Sequence, residues 1–157
     1  MRIIYAKPEL RDLSQGSRIA FVRQFRFMTQ DDVSNKLGLI GECKRRTMTR
    51  YEKGERNPKE ERTKELANIF NVNYHAIKDY DYKDPMDLIY TLIWLEEIIP
   101  RYQIDLSKVP NINKDNINQI KDFIKIWEEM RSKRFKREIS YIEYIEWKLT
   151  YEVNNHE

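Results

Sequence analysis

Residues 29–58 read T-Q-D-D-V-S-N-K-L-G-L-I-G-E-C-K-R-R-T-M-T-R-Y-E-K-G-E-R-N-P, and the fold turns on how this stretch divides. Thr29 stands at an N-cap with Asp32 at the third helical position, so a hydroxyl and a carboxylate can satisfy two orphan backbone N–H groups and open a short helix ending at Leu37 and Gly38. Arg45 to Lys53 read as the next helix, with Met48 and Tyr51 reaching inward at i, i+3 spacing and Gly54 as its stop. Asn57 fits the following N-cap, Pro58 the first helical position and Glu60 a capping-box position.

Working outward, Ile19, Phe21, Val22 and Phe25 mark a preceding helix that begins near Leu13. Leu66, Ala67, Ile69 and Phe70 line a fourth helix, and a short fifth runs from about Asn73 to Asp79. The polar, acidic segment from Lys78 to Pro85 reads as a boundary. Beyond it, Met86, Leu88, Ile89, Leu92, Ile93, Trp94, Leu95, Ile98 and Ile99 give a helix from Pro85 to Ile99 whose apolar face is wider than one stripe. Such a helix must be covered on more than one side, by its own domain or by a second chain.

Ile117, Ile120, Ile124, Trp127 and Met130 recur at three and four, which predicts a helix from about Lys114 to Lys133. Ser140 with Glu143 forms a second capping box, opening a last helix that turns Tyr141, Ile142, Ile145 and Leu149 inward. Tyr102, Ile104 and Leu106 alternate with polar residues and suit a short strand that could pair with Ile3 to Tyr5. The expectation is a mainly α protein in two parts, residues 12–80 with five helices and a smaller helical region over 84–152, with room for one two-stranded β pair.

The formal net charge is +3, from 29 basic and 26 acidic residues, too small by itself to argue for a polyanion partner. Its distribution says more. Ser14 to Pro58 carries ten Lys/Arg against five Asp/Glu, and Lys59 to Pro100 five against nine, so the positive charge collects where the short helices lie. One cysteine, Cys43, allows no internal disulfide and fits a reducing compartment. No run approaches the roughly 18 consecutive apolar residues of a membrane span, and the N-terminus has no apolar h-region. A soluble, cytoplasmic protein is the expectation.

The pattern R-I-x-x-x-R-x-x-x-x-x-T-Q, V-S-x-x-L-G, T-M-T-R-Y-E-K-G-x-x-x-P and L-A-x-I-F-x-V, from Arg18 to Tyr80, resembles the DNA-binding domain of the Cro/C1-repressor (XRE) helix-turn-helix family. The resemblance implies a five-helix, lambda-repressor-like unit whose third helix enters the major groove. It places Ser34 where the family usually has Ala, at the close approach of two helices, and Gly38 at the turn glycine. It implies a buried structural ion pair between Arg23 and Glu52. Base-reading positions fall on Arg45, Arg46 and Arg50, and arginine there suits guanine O6 and N7.

Gln30 matches a position that touches the DNA backbone and orients its neighbours. Lys53, Arg56 and Lys59 flank the loop to the fourth helix and suit phosphates, with Thr29, Lys44, Thr47 and Thr49 as further candidates. Gly38 to Glu52 spans fourteen steps, four more than the family's usual spacing, and the surplus lies in Leu39 to Lys44. This longer turn, the Y-E-x-G-x-x-x-P-K-E pattern and the segment from Ile139 to Lys148 are similar to a subgroup of these regulators on mobile elements of Firmicutes.

Catalysis has little support. His75 and His156 lie far apart, neither has Cys, Asp or Glu at metal-ligand spacing, and no nucleophile elbow or phosphate-binding glycine loop is present. Glu96-Glu97 and Glu128-Glu129 read as ordinary surface charges. No enzyme activity, cofactor or metal is expected.

Two functions follow as expectations. The first is a sequence-specific DNA-binding transcriptional regulator, a repressor of phage or mobile-element type on double-stranded DNA, acting as a homodimer through its C-terminal helices. Ile89, Ile93, Trp94, Trp127 and Trp147 are the candidate dimer or partner interface. The second is a mobile-element inhibitor, similar to some anti-CRISPR proteins, that keeps the helix-turn-helix as a scaffold and binds a protein target through its C-terminal region. The run from Arg131 to Arg137, five Lys/Arg in seven residues, suits a solvated helix end or a second nucleic-acid contact.

Overall fold

A computed structural model describes residues 8–41, 44–98 and 114–153, and these are mainly helical, with no strand among them. The helices are α1 (Gln15–Phe25), α2 (Gln30–Lys36), α3 (Lys44–Lys53), α4 (Glu60–Phe70), α5 (Tyr74–Ile77), α6 (Pro85–Ile98), α7 (Lys114–Phe135) and α8 (Tyr141–Thr150). The expected pairing of Ile3 to Tyr5 with Tyr102 to Leu106 lies outside the described residues. The chain divides between Lys78 and Asp79 into two compact units.

In the N-terminal unit α1 packs on α3 and α5, α2 on α3 and α4, and α4 on α5. The apolar positions explain why: Ile19, Phe21 and Val22 of α1, Val33 of α2, Met48 and Tyr51 of α3, Leu66 and Phe70 of α4 and Ile77 of α5 are all buried. Gly16 makes the closest approach, since a Cβ there would stand 2.3 Å from the Tyr51 carbonyl oxygen and 2.7 Å from that of Glu52. Only glycine lets the start of α1 lie on the end of α3 at that distance.

Three arginines close this unit by holding backbone carbonyls at helix ends, groups that no helix can satisfy internally. Arg18, buried on α1, donates from Nη1 to the carbonyls of Ala76 (3.1 Å) and Lys78 (2.8 Å). Arg26 donates to Phe70 (2.6 Å) and Asn71 (3.2 Å) at the end of α4, and Arg11 reaches the Glu52 carbonyl at 2.8 Å.

Both predicted capping boxes form, Thr29 with Asp32 on α2 and Ser140 with Glu143 on α8. The expected Asn57 cap does not. Helix α4 starts at Glu60, with Lys59 extended at the N-cap (φ −69°, ψ 165°) and making no side-chain bond. Pro58 is buried ahead of the helix rather than serving as its first residue. Thr63 closes the first turn by donating its N–H (2.9 Å) and its hydroxyl (3.0 Å) to the Lys59 carbonyl, while Glu60 and Glu61 place negative charge at the positive helix end.

In the C-terminal unit α6 packs on α7 and α7 on α8. The wide apolar face of α6 is covered by the chain itself: Ile89, Ile93 and Trp94 are at most 1 % exposed. Around Phe123 an aromatic cluster forms, with Trp127 and Trp147 stacked on it at 5.5 and 6.2 Å and Tyr151 edge-on at 5.0 Å. Lys148 is buried, and its Nζ donates to Glu97 Oε1 at 2.6 Å and Glu96 Oε1 at 3.4 Å.

The reading of Glu96 and Glu97 as ordinary surface charges is therefore corrected. Their side chains are 14 % and 9 % exposed, because a lysine inside an apolar unit is tolerable only beside carboxylates. Arg131 Nε joins them at 3.3 Å from Glu96 Oε2. Among the described residues no helix is long and apolar enough to cross a membrane.

Candidate nucleic-acid interface

Helix α3 has one inward and one outward face. Lys44, Met48, Tyr51 and Glu52 fall along one side at 3.6 residues per turn, and Met48, Tyr51 and Glu52 are buried. Arg46, Arg50 and Lys53 fall on the opposite side and Arg45 on its flank, all four exposed. Among the described residues no carboxylate pairs with any of the four, nor with Arg56 or Lys59, which are exposed on the loop that follows. The first turn of α3 holds no acidic residue, so Lys44, Arg45 and Arg46 sit against the positive end of the helix dipole, where cations are locally unfavourable.

The outward face is held by a chain of polar contacts from the core. Arg23 of α1 meets Glu52 of α3 with Nη2 to Oε1 at 2.8 Å and Nε to Oε2 at 3.1 Å, the two side chains 13 % and 8 % exposed. Arg23 Nη1 also donates to the Met28 carbonyl at 2.9 Å. Glu52 Oε2 accepts from Gln30 Nε2 at 3.1 Å. Gln30 in turn offers Oε1 to the Thr49 hydroxyl at 3.0 Å and to Arg45 Nε at 3.5 Å. Glu52 thus joins the ion pair to the residue that steadies Arg45, a link that the motif spacing does not reveal because it joins α2 to α3 through side chains.

The other candidates are placed differently. The Thr29 hydroxyl accepts from the Asp32 N–H at 3.0 Å, while the Thr29 N–H donates to Asp32 Oδ2 at 2.8 Å, and this cap holds the Asp32 carboxyl below its ordinary pKa. Thr49 spends its hydroxyl on Gln30 and on the Arg45 carbonyl at 3.2 Å. Lys44 turns its ammonium back onto Asn35 Oδ1 at 2.7 Å.

Ser34, fully buried, donates its hydroxyl to the Lys44 carbonyl at 3.0 Å. That bond ties α2 to the first residue of α3 and gives the buried hydroxyl the partner it needs. The turn between them is pinned at its start, where Gly38 (φ 74°) and Leu39 donate to Asn35 and Ser34.

Of the candidate partner surface, Ile89, Ile93 and Trp94 are core residues and present nothing to a second chain. Trp127 and Trp147 are half-buried. Trp127 donates Nε1 to the Tyr144 hydroxyl at 3.0 Å and carries the Arg131 guanidinium over its ring at 5.3 Å. The Tyr144 hydroxyl donates to Glu96 at 2.5 Å, and desolvation, followed by that carboxylate, pushes its pKa up.

Phe135, in the Arg131 to Arg137 run, is 87 % exposed. Among the described residues no three His, Cys, Asp or Glu side chains group to hold a metal ion. No family model, curated protein sequence or solved structure matches the chain.

Proposed function

We propose that this protein is a sequence-specific DNA-binding regulator of the Cro/C1 helix-turn-helix kind, with α2 as the bracing helix and α3 as the helix that enters the major groove. One observation carries the reading: α3 exposes Arg45, Arg46, Arg50 and Lys53 with no acidic partner among the described residues. Two of these cations stand at the helix end where they weaken the helix. A sequence selected for stability alone would place acidic residues there, so their presence points to use against a polyanion.

In this reading Arg45, Arg46 and Arg50 reach base edges, and Lys53, Arg56 and Lys59 meet phosphates. Gln30 holds Arg45 in register, while Thr29 and Thr49 have their hydroxyls occupied and serve the frame. Two copies bind two half-sites about one helical turn apart, with Trp127 and Trp147 the remaining candidates for the contact between them.

Selection from a random DNA pool tests this. The expected outcome is a guanine-containing motif repeated at half-site spacing, and an unenriched pool would overturn it. Electrostatic binding to random DNA is no substitute, because basic faces bind any duplex at low salt. The second reading, a protein-binding inhibitor, draws on Phe135 and Ile142, which stand exposed in the C-terminal unit. It gains if the pool stays unenriched.

A further inference from the structure

The turn ahead of α3 presents an apolar side chain where the interface would be polar. Ile40 is 92 % exposed, above Phe27 (68 %) and Leu13 (37 %) in the same unit. The described residues on either side of it are tied to α2. The Gly38 and Leu39 N–H groups close onto α2, and Ser34 and Asn35 of α2 hold the carbonyl and ammonium of Lys44. Gly41 takes φ 96°, which favours glycine, although a Cβ there would meet nothing within 4 Å. The glycine is required by the backbone path and not by space.

The Lys44 N–H donates to the Gly41 carbonyl at 3.4 Å. With that bond and ordinary backbone lengths the Cα atoms of Gly41 and Lys44 lie within about 7 Å of each other, and one more residue adds about 3.8 Å. Ile40 is therefore within about 11 Å of the start of α3, or about three base pairs at 3.4 Å per pair. The apolar feature that a base edge offers in the major groove is the thymine C5 methyl. A β-branched side chain with few χ1 rotamers can be set against it at small entropic cost.

We propose that Ile40 is a specificity-determining residue that reads a thymine by its C5 methyl, within about three base pairs of the bases met by Arg45 and Arg46. This rests on the DNA-binding reading above and deepens it. The longer turn would then extend the recognised half-site.

The test starts from the enriched operator. Each thymine is replaced in turn by deoxyuridine, which removes only the methyl, and binding is measured for the unaltered protein and for Ile40→Ser. The expected result is a loss of about fourfold at one thymine per half-site, the worth of one buried methyl group, with no such loss in Ile40→Ser. The thermal midpoint of Ile40→Ser should match that of the unaltered protein, since the side chain is exposed. Indifference of the unaltered protein to every replacement overturns the proposal while leaving DNA recognition intact, as does an undiminished loss in Ile40→Ser. An unenriched pool removes the DNA-binding reading and this proposal with it.

Discussion

At the scale of single residues, the N-terminal unit depends on a few positions that tolerate no neighbour. A methyl group at Gly16 would collide with two backbone carbonyls of α3, and backbone cannot move aside as a side-chain tip can. Gly16→Ala should destabilise the protein by about 1–3 kcal/mol, as overpacking does, read as a lower urea midpoint. Arg23→Ala should cost about 3–5 kcal/mol, because it leaves the Glu52 carboxylate buried with half its partners gone. A urea midpoint unchanged in Arg23→Ala would mean that the pair is solvated and contributes nothing.

A charge count gives the sign of the segment and not the use of each cation. Of the ten cations between Ser14 and Pro58, Arg18, Arg23 and Arg26 spend their donors on carbonyls or on Glu52 inside the fold. The positive segment is thus partly structural, and the cations open to a ligand are concentrated on α3 and the loop after it. A charge count cannot separate these roles, because the separation depends on which helix end each guanidinium reaches.

At the scale of elements, α3 trades helix stability for its surface. Replacing Arg46 with Glu puts a negative charge at the positive pole of the helix and should raise stability by about 0.3–1 kcal/mol. On the proposed DNA-binding function, the same change should abolish binding to the enriched sequence in a gel-shift assay. An Arg46→Glu protein that still binds the operator would refute the assignment of this face. Ser34→Ala tests the brace: losing the bond to the Lys44 carbonyl should cost about 1 kcal/mol, measured in urea.

The capping boxes of α2 and α8 were legible because every participant lies within four residues. The start of α4 was not: the Asn57-Pro58 pair carries a local cap signal, yet Pro58 is drawn into the unit's packing. Burial outweighed the local preference there.

At the scale of the whole molecule, alkaline pH should weaken the C-terminal unit. Tyr90, Tyr141 and Tyr144 all lie in the C-terminal unit, and burial raises the pKa of each above its ordinary value of 10. A raised folded-state pKa means that the fold favours the protonated phenol. The stabilisation is therefore complete below pH 10 and is lost progressively as pH rises beyond it. Tyrosinate absorbance should lag behind that of free tyrosine above pH 10 and then rise together with loss of C-terminal helix. Titration of all ten tyrosines at the ordinary value would contradict this.

The sequence by itself determined that the chain is mainly helical and where two of its capping boxes lie, because hydrophobic period and cap chemistry act over one or two turns. Tertiary structure alone decided which charges and polar groups are spent internally: Lys148 beside Glu96 and Glu97, Arg18 and Arg26 on helix-end carbonyls, and the Gln30 amide between Glu52 and Arg45. It also decided that Ile89, Ile93 and Trp94 belong to a core. The physical reason is range. A buried charge or a wide apolar face only requires that a partner exist, and the partners lie tens of residues away, where periodicity carries no information and packing alone brings them together.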